Sequence, residues 1–227
     1  MNPLTNSQLA YQHLRRQLLA GEYKPGTRIL YGPVGKQLGI SATPVREAIG
    51  LLAHEGLVEL VPQLGAVVRK LSQQELIELY ELREAIEPYA ARKAAERATE
   101  EHLKTFREHY QAMTDLMHQW EASQISIPNA EMIASFEQHD LAFHMQIIAS
   151  AGNQMLVKTA ESSNALTRVF STKRHDYDIN IMKTTCVDHE RILHALESRS
   201  PEHAAAAMHQ HIQNGLTVSL NNFLSSN

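Results

Sequence analysis

The sequence predicts a mainly α-helical protein in two parts, an N-terminal winged helix-turn-helix followed by an all-helical bundle. The first 70 residues have the pattern of three short helices and a β-hairpin, and the remainder has helical periodicity without a convincing strand. The charge changes at the same boundary, because eight Lys or Arg and four Asp or Glu precede it, whereas 13 and 21 follow it. We therefore expect one domain over residues 1–70 and a second over residues 71–227.

Three segments of the first domain have apolar residues at helical spacing, and each is followed by a glycine that can end a helix. They are residues 6–20, 33–38 and 41–55. At the start of the third segment a hydroxyl side chain can cap the helix, and Pro44 fits its first turn. Two β-rich runs, over residues 57–61 and 66–69, predict a hairpin closed by the turn at 62–65.

The second domain begins with a capping box at Ser72–Glu75, and apolar residues then follow at three- and four-residue steps to Tyr89. The same periodicity predicts further helices over residues 100–121, 130–150, 154–171, 185–197 and 201–223. Polar residues at 173–180 predict a break before the helix over residues 185–197. The second domain is therefore expected to be a bundle of helices that encloses its own core.

The composition excludes several classes of protein. Charged residues interrupt every apolar run before it is long enough to span a bilayer, and the N-terminus lacks the features of a signal or transit peptide, so we expect a cytoplasmic protein. The single cysteine, Cys186, cannot form an internal disulfide or a CxxC site. The basic first domain and the acidic second domain favour a polyanion as the partner of the first.

In a helix-turn-helix the second helix of the pair enters the major groove, and surrounding basic side chains hold phosphates. Here that helix begins near Thr43. The candidates for contact with bases are Ser41, Thr43 and Arg46, and the candidates for contact with phosphates are Arg28, Lys36, Arg69 and Lys70. Alternatively, Arg46 and Glu47 form an ordinary solvated helix face. The glycine turn, the proline and the hairpin favour double-stranded DNA as the partner.

Asp140 and His144 are four residues apart in a predicted helix, which brings a carboxylate and an imidazole to one face, while Phe143 turns toward a neighbouring helix. His189 and His211, in two later helices, can complete a set of one carboxylate and three imidazoles. Such a set suits zinc, nickel or another divalent transition metal. The alternative is an accidental grouping, since the chain has 13 histidines.

Longer motifs carry a family resemblance. Residues 21–28, 38–41, 43–48 and 55–58 read GEYKPGTR, LGIS, TPVREA and EGLV. The first domain thereby resembles the winged helix of the GntR family, and the remainder resembles its FadR-like, or FCD, subgroup, in which a helical domain binds a ligand. The resemblance implies a homodimer that binds operator DNA as a repressor and responds to a small carboxylate or sugar acid.

The resemblance also assigns residues of the second domain. It implies that Asp140, His144, His189 and His211 bind one divalent metal, in the order in which they occur. It places Arg83 near the effector pocket, where a guanidinium can hold a carboxylate with two hydrogen bonds. The alternative for Arg83 is an i,i+4 pair with Glu87 on a solvated helix face.

The sequence departs from the family pattern at three places. Ala42 stands where arginine is usual, Gly32 stands where a charged residue is common, and the wing has Gln63-Leu64 instead of arginines. Fewer cations predict weaker or differently specified DNA binding, because each neutralised phosphate contributes through counterion release.

These observations predict a ligand-responsive, DNA-binding transcription regulator that is not an enzyme. A metal-dependent hydrolase could use the same Asp/His cluster to activate water, but the sequence has no His-Glu-x-x-His helix, nucleophile elbow or glycine-rich phosphate loop. A winged helix that docks onto another protein is a further alternative, which the cation-poor wing leaves open.

Overall fold

The computed structural model describes residues 4–123, 128–170 and 178–224, and within them the predicted fold class is confirmed. In chain order the elements are α1 (Asn6–Leu19), β1 (Arg28–Ile29), α2 (Tyr31–Leu38), α3 (Ala42–His54), β2 (Val58–Val61), β3 (Gly65–Val68), α4 (Gln73–Arg97), α5 (Glu100–Ser123), α6 (Ala130–Ser150), α7 (Gln154–Phe170), α8 (Ile179–Glu197) and α9 (Pro201–Leu224). The contacts divide the chain into two compact units. Residues 1–72 and the end of α7 form the winged-helix unit, and residues 73–164 with α8 and α9 form the helical unit.

The winged-helix unit has three helices and a small antiparallel sheet with the strand order β1-β3-β2. Val61 pairs with Gly65 across the predicted hairpin turn, and Arg28 pairs with Val67 on the other side of β3. Strand β1 was not predicted, because two residues are too few to show an alternating pattern. Helix α2 begins at Tyr31, two residues before the predicted start, and the core between the helices and the sheet is apolar.

Two glycines allow the tight turn between α2 and α3. Gly39 ends α2 with a φ of 66°, in the left-handed region that side chains with a Cβ disfavour. Gly35 has an ordinary φ, but a Cβ on it would lie 2.8 Å from the carbonyl oxygen of Ile40. The close approach of α2 to the start of α3 therefore depends on the absence of a side chain at Gly35.

The helical unit packs α4, α5, α6, α8 and α9 around a core that includes Phe106, Phe136, Phe143 and the single tryptophan, Trp120. Helix α8 begins at Ile179, six residues before its predicted start. The reason is a cap within the polar stretch, since the Asp178 side chain accepts the backbone N–H of Ile181 at 2.8 Å. Among the described helices, none combines the length and the apolar composition that crossing a membrane requires.

Candidate metal centre and nucleic-acid interface

The structure brings together the four residues that were predicted as metal ligands. Asp140 and His144 lie one turn apart on α6, His189 lies on α8 and His211 lies on α9. Each offers one ligand atom, and these four atoms all lie within 4.8 Å of one another. His144 and His189 are buried, whereas the Asp140 side chain is 30% exposed, so solvent reaches the cluster beside this carboxylate.

The three imidazoles converge through the same ring nitrogen. His144 Nε2 lies 3.1 Å from His189 Nε2 and 3.1 Å from His211 Nε2, and Asp140 Oδ1 lies 3.5 Å from His189 Nε2. Two nitrogens bound to one ion at about 2.1 Å are separated by about 3.0 Å at an octahedral angle and about 3.4 Å at a tetrahedral angle. The spacing of the donor atoms therefore fits a shared divalent ion.

The hydrogen bonding of the cluster gives a second test of this fit. Glu87 Oε2 lies 2.6 Å from His144 Nδ1, and an ionised carboxylate only accepts hydrogen bonds, so Nδ1 carries a proton and Nε2 is the nitrogen that faces the other two rings. Nε2 can share a hydrogen with only one of the two nitrogens beside it, whichever of them is the donor. A cation can instead accept the lone pairs of all three rings, so the donor set fits a metal better than it fits a hydrogen-bonded trio.

Burial favours the neutral form of two of the rings, His189 and His211. Burial, and after it the neighbouring His211 and His144 rings, holds the pKa of His189 well below 6.5. Burial also lowers the pKa of His211, with Asp188 opposing it. Neutral imidazole is the form that binds a metal. Burial raises the pKa of nearby Cys186 to about 12, and this thiol does not belong to the group of four donor side chains.

Two buried carboxylates next to the cluster were not predicted as functional residues. Glu87 contacts His144, and Asp188 Oδ2 lies 3.7 Å from His211 Nδ1, which is within ion-pair distance but longer than a hydrogen bond. Asn214 Nδ2 donates to the same Asp188 oxygen at 2.7 Å. The signal for Glu87 was its place on the buried, alanine-rich face of α4, where a charged residue needs a partner.

Two interpretations of Arg83 were an effector-pocket role and an i,i+4 pair with Glu87 on a solvated helix face. The structure contains the pair with Glu87, but the pair is largely buried. Arg83 Nε donates to Glu87 Oε1 at 2.7 Å, and the side chains are 12% and 2% exposed. The guanidinium also lies over the ring of Tyr80, with its carbon 5.2 Å from the ring centroid. Arg83 is therefore a cation close to the cluster, and its charge helps to hold the pKa of Glu87 far below its usual range despite burial.

Phe143 is fully buried and its ring lies 4.7 Å from that of His189, so it does turn toward a neighbouring helix. Several histidines outside the cluster have other partners. His139 Nδ1 lies 3.1 Å from His109 Nδ1, His209 pairs with Glu84, and His203 contacts Ser200. Among the described residues, the four predicted ligands also form the group of His, Cys, Asp and Glu side chains that lie close enough together to hold a metal ion.

In the winged-helix unit most of the predicted DNA contacts lie on the surface. The exposed ones are Arg28, Lys36, Ser41, Thr43, Arg46 and Lys70. Arg69 differs, because it is half-buried and its Nη1 donates to the carbonyl oxygen of Gly56 at 3.3 Å, which connects β3 to the end of α3. The guanidinium carbon of Arg46 lies 5.8 Å from the centroid of the Tyr31 ring.

The N-terminus of α3 is open for a ligand. Ser41 occupies the N-cap position with extended backbone, but its side chain makes no capping hydrogen bond, contrary to the expected hydroxyl cap. The first backbone N–H groups of a helix have no partner within the helix. Together with the helix dipole, such groups favour binding of an anion such as phosphate.

Comparison with known proteins agrees with both units. The family described as bacterial regulatory proteins of the gntR family matches residues 6–68, and the FCD domain family matches residues 78–214. The Nta operon transcriptional regulator of Aminobacter aminovorans is 31% identical over 84% of this chain and 83% of its own length. The HTH-type transcriptional repressor RspR of Escherichia coli K12 is 30% identical over 91% of this chain and 86% of its own. The solved structure of E. coli McbR/YncC covers 97% of this chain and 100% of its own, with a TM-score of 0.80 and 19% identity, which shows the shared fold.

Proposed function

The chain belongs to the gntR family of bacterial regulatory proteins and carries an FCD domain, and on this premise we propose that it is a metal-assisted repressor released by a small carboxylate or sugar acid. Its family and relatives make it a DNA-binding transcriptional regulator and not an enzyme. Beyond this family assignment, we propose the bound metal, the class of effector, the repressor role and the homodimer.

The observation that carries the metal proposal is the convergence of three imidazole nitrogens, with His144 Nε2 3.1 Å from each of the other two. Asp140 would supply the fourth ligand atom. One oxygen and three nitrogen donors suit zinc or nickel and leave coordination positions for a further ligand. When bound, the ion would supply a positive charge that can attract a carboxylate to the interior of the helical unit.

Two features of the chain support a carboxylate effector. Asp140 is partly exposed, so a ligand can approach the cluster from its side. Arg83 adds a guanidinium on α4, and its pairing through Nε leaves the two terminal nitrogens to meet a carboxylate. Beyond the cluster, Arg83 and the two buried carboxylates Glu87 and Asp188, the core of the helical unit is largely apolar, which suits a small organic acid.

For DNA binding, we propose that α3 enters the major groove with Ser41, Thr43 and Arg46 near the bases. Arg28, Lys36, Arg69 and Lys70 would contact phosphates, and the open N-terminus of α3 would bind one as well. One winged helix offers few base contacts, so we propose that a homodimer binds two half-sites.

The proposed metal function is tested by elemental analysis of the purified protein, before and after mild chelation and after reconstitution with zinc or nickel. We expect about one ion per chain in the reconstituted protein, as one cluster implies. His144→Ala should lose the ion and the thermal shift caused by organic acids while retaining DNA binding. His203→Ala, which removes an exposed histidine paired with Ser200, is the matched control and should keep all three. No uptake by the reconstituted wild-type protein, or an unchanged acid response in His144→Ala, would refute the metal site.

A further inference from the structure

We propose that Glu87 is a positioning residue of the metal centre: it fixes the ring and the tautomer of His144, and Arg83 in turn holds Glu87. This inference rests on the proposed metal function, because the positioning concerns the nitrogen that His144 would offer to the ion. It assigns a role to a carboxylate that is not itself among the four candidate ligands.

Glu87 uses its two carboxylate oxygens for two different partners. Oε2 lies 2.6 Å from His144 Nδ1, and Oε1 accepts from Arg83 Nε at 2.7 Å. The side chains of Glu87 and His144 are each 2% exposed, so water does not compete for these contacts. With one partner on each oxygen, the carboxylate is fixed between α4 and α6, and the orientation of the His144 ring is fixed with it.

Arg83 is itself held in place from α9. Its guanidinium lies over the Tyr80 ring, and the Tyr80 hydroxyl is 2.7 Å from Ser219 Oγ. The Tyr80 ring also passes so close to Gly215 that a Cβ there would lie 3.3 Å from it. The absence of a side chain at Gly215 leaves room for the ring. A buried carboxylate is costly unless a cation or hydrogen bonds compensate it, so this support is what allows Glu87 to remain ionised next to His144.

The contact with Glu87 selects one tautomer of His144. Because an ionised carboxylate only accepts hydrogen bonds, Nδ1 must carry a proton, and Nε2 is the nitrogen of His144 that remains to bind a cation. The other two rings lack an equivalent contact among the described residues. His211 Nδ1 is 3.7 Å from Asp188, and His189 Nδ1 is buried without a hydrogen-bond partner. His144 is therefore the ring whose metal-binding nitrogen is prepared before an ion arrives.

The test is Glu87→Gln in the full-length protein, a change that keeps the size of the side chain and removes its charge. Zn²⁺ affinity is measured by competition with a chelator, and the His144 tautomer is measured by ¹⁵N NMR of the metal-free protein. We expect the affinity to fall about ten- to a hundredfold, as is usual on loss of such outer partners. The NMR signal should change from the Nδ1–H tautomer to a mixture. Glu202→Gln is the matched control, since it removes the same charge from an exposed Arg–Glu pair formed with Arg92.

The outcomes separate this inference from the proposed function. If the wild-type protein takes up no Zn²⁺, the metal function fails. If the wild-type protein binds Zn²⁺ and Glu87→Gln has the same affinity and the same His144 tautomer, the positioning role is wrong and the metal function stands. If Glu87→Gln does not fold, Arg83→Lys decides, because lysine keeps the charge and lacks the Nε donor. It should weaken Zn²⁺ binding in the same direction, and an unchanged affinity would overturn the inference.

Discussion

The two units place their candidate functional groups differently with respect to solvent. In the winged-helix unit the core is apolar, and all but one of the predicted DNA contacts are exposed side chains. In the helical unit most of the candidate groups lie inside the core, and Asp140 is partly exposed. Among the described residues, the polar or charged ones that are buried as whole residues all belong to this unit: Glu87, Thr114, His144, Ser150, Ser163, Asn164, Asp188, His189 and His211.

This difference determines how function and stability are related in each unit. An exposed contact residue can be replaced with little effect on folding, because it buries little surface. A buried imidazole cluster is destabilising until its ligand binds, because its polar atoms have left water without full compensation. In the winged-helix unit, replacing a functional residue should therefore leave the stability nearly unchanged. In the helical unit, replacing one should stabilise the metal-free protein.

The largest expected effect comes from His189→Leu. His189 is fully buried and its Nδ1 has no hydrogen-bond partner, so a leucine of similar size removes an uncompensated polar group. We expect the metal-free protein to gain about 1 kcal/mol or more in its free energy of unfolding. In zinc at a hundred times the dissociation constant, the variant should lose about 2.7 kcal/mol of stabilisation that the wild-type protein gains. Urea denaturation monitored by Trp120, which is buried in this unit, measures both. A metal-free variant less stable than the wild-type protein would contradict this interpretation.

The control is the pH dependence of the free energy of unfolding, measured for the metal-free wild-type protein and for His189→Leu. Burial lowers the pKa of His189 and His211 in the folded protein, whereas histidine in an unfolded chain titrates near about 6.5. Below that pH the unfolded chain binds more protons than the folded one, so the metal-free wild-type protein loses stability as the pH falls. Each group can contribute up to about 1.4 kcal/mol per pH unit. The slope should be shallower in His189→Leu, and equal slopes would show that His189 does not titrate as proposed.

In the winged-helix unit, Arg46→Ala should remove function without affecting stability. Arg46 is exposed on α3, and a base contact is expected to provide about 1 to 3 kcal/mol of discrimination between operator and random DNA. Its effect on the free energy of unfolding should stay within about 0.5 kcal/mol. Duplexes selected from a random pool by the wild-type protein supply the operator for the comparison. Arg16→Ala removes the same charge from an exposed position on α1 and is the matched control. If Arg46→Ala retained its preference for the selected DNA, α3 would not be the helix that reads bases.

The same comparison explains what the sequence could predict. Amphipathic periodicity was enough for the helices of both units, and the i,i+4 spacing placed Asp140 next to His144. The two other histidines are 45 and 67 residues from His144; their helical positions made them candidates, and the family resemblance favoured them over an accidental grouping among 13. Glu87 and Asp188 were missed because a buried carboxylate is recognised by its spatial partners, which lie on other helices. The start of α8 was missed because its cap, Asp178, lies in a stretch whose polar composition is typical of a loop.

The smallest expected effect, from Lys70→Ala, tests whether exposed cations of the winged-helix unit act without reading sequence. Lys70 is exposed, and its side chain extends over Gly26, where a Cβ would lie 2.7 Å from Lys70 Cε. A phosphate contact contributes through counterion release, so the variant should bind selected and random DNA more weakly by the same factor. The slope of log affinity against log salt should become shallower by about 1. Lys70→Arg keeps the charge and should retain the wild-type slope. A loss confined to the selected DNA would instead make Lys70 a base contact, because only contacts with bases or with DNA shape distinguish one duplex sequence from another.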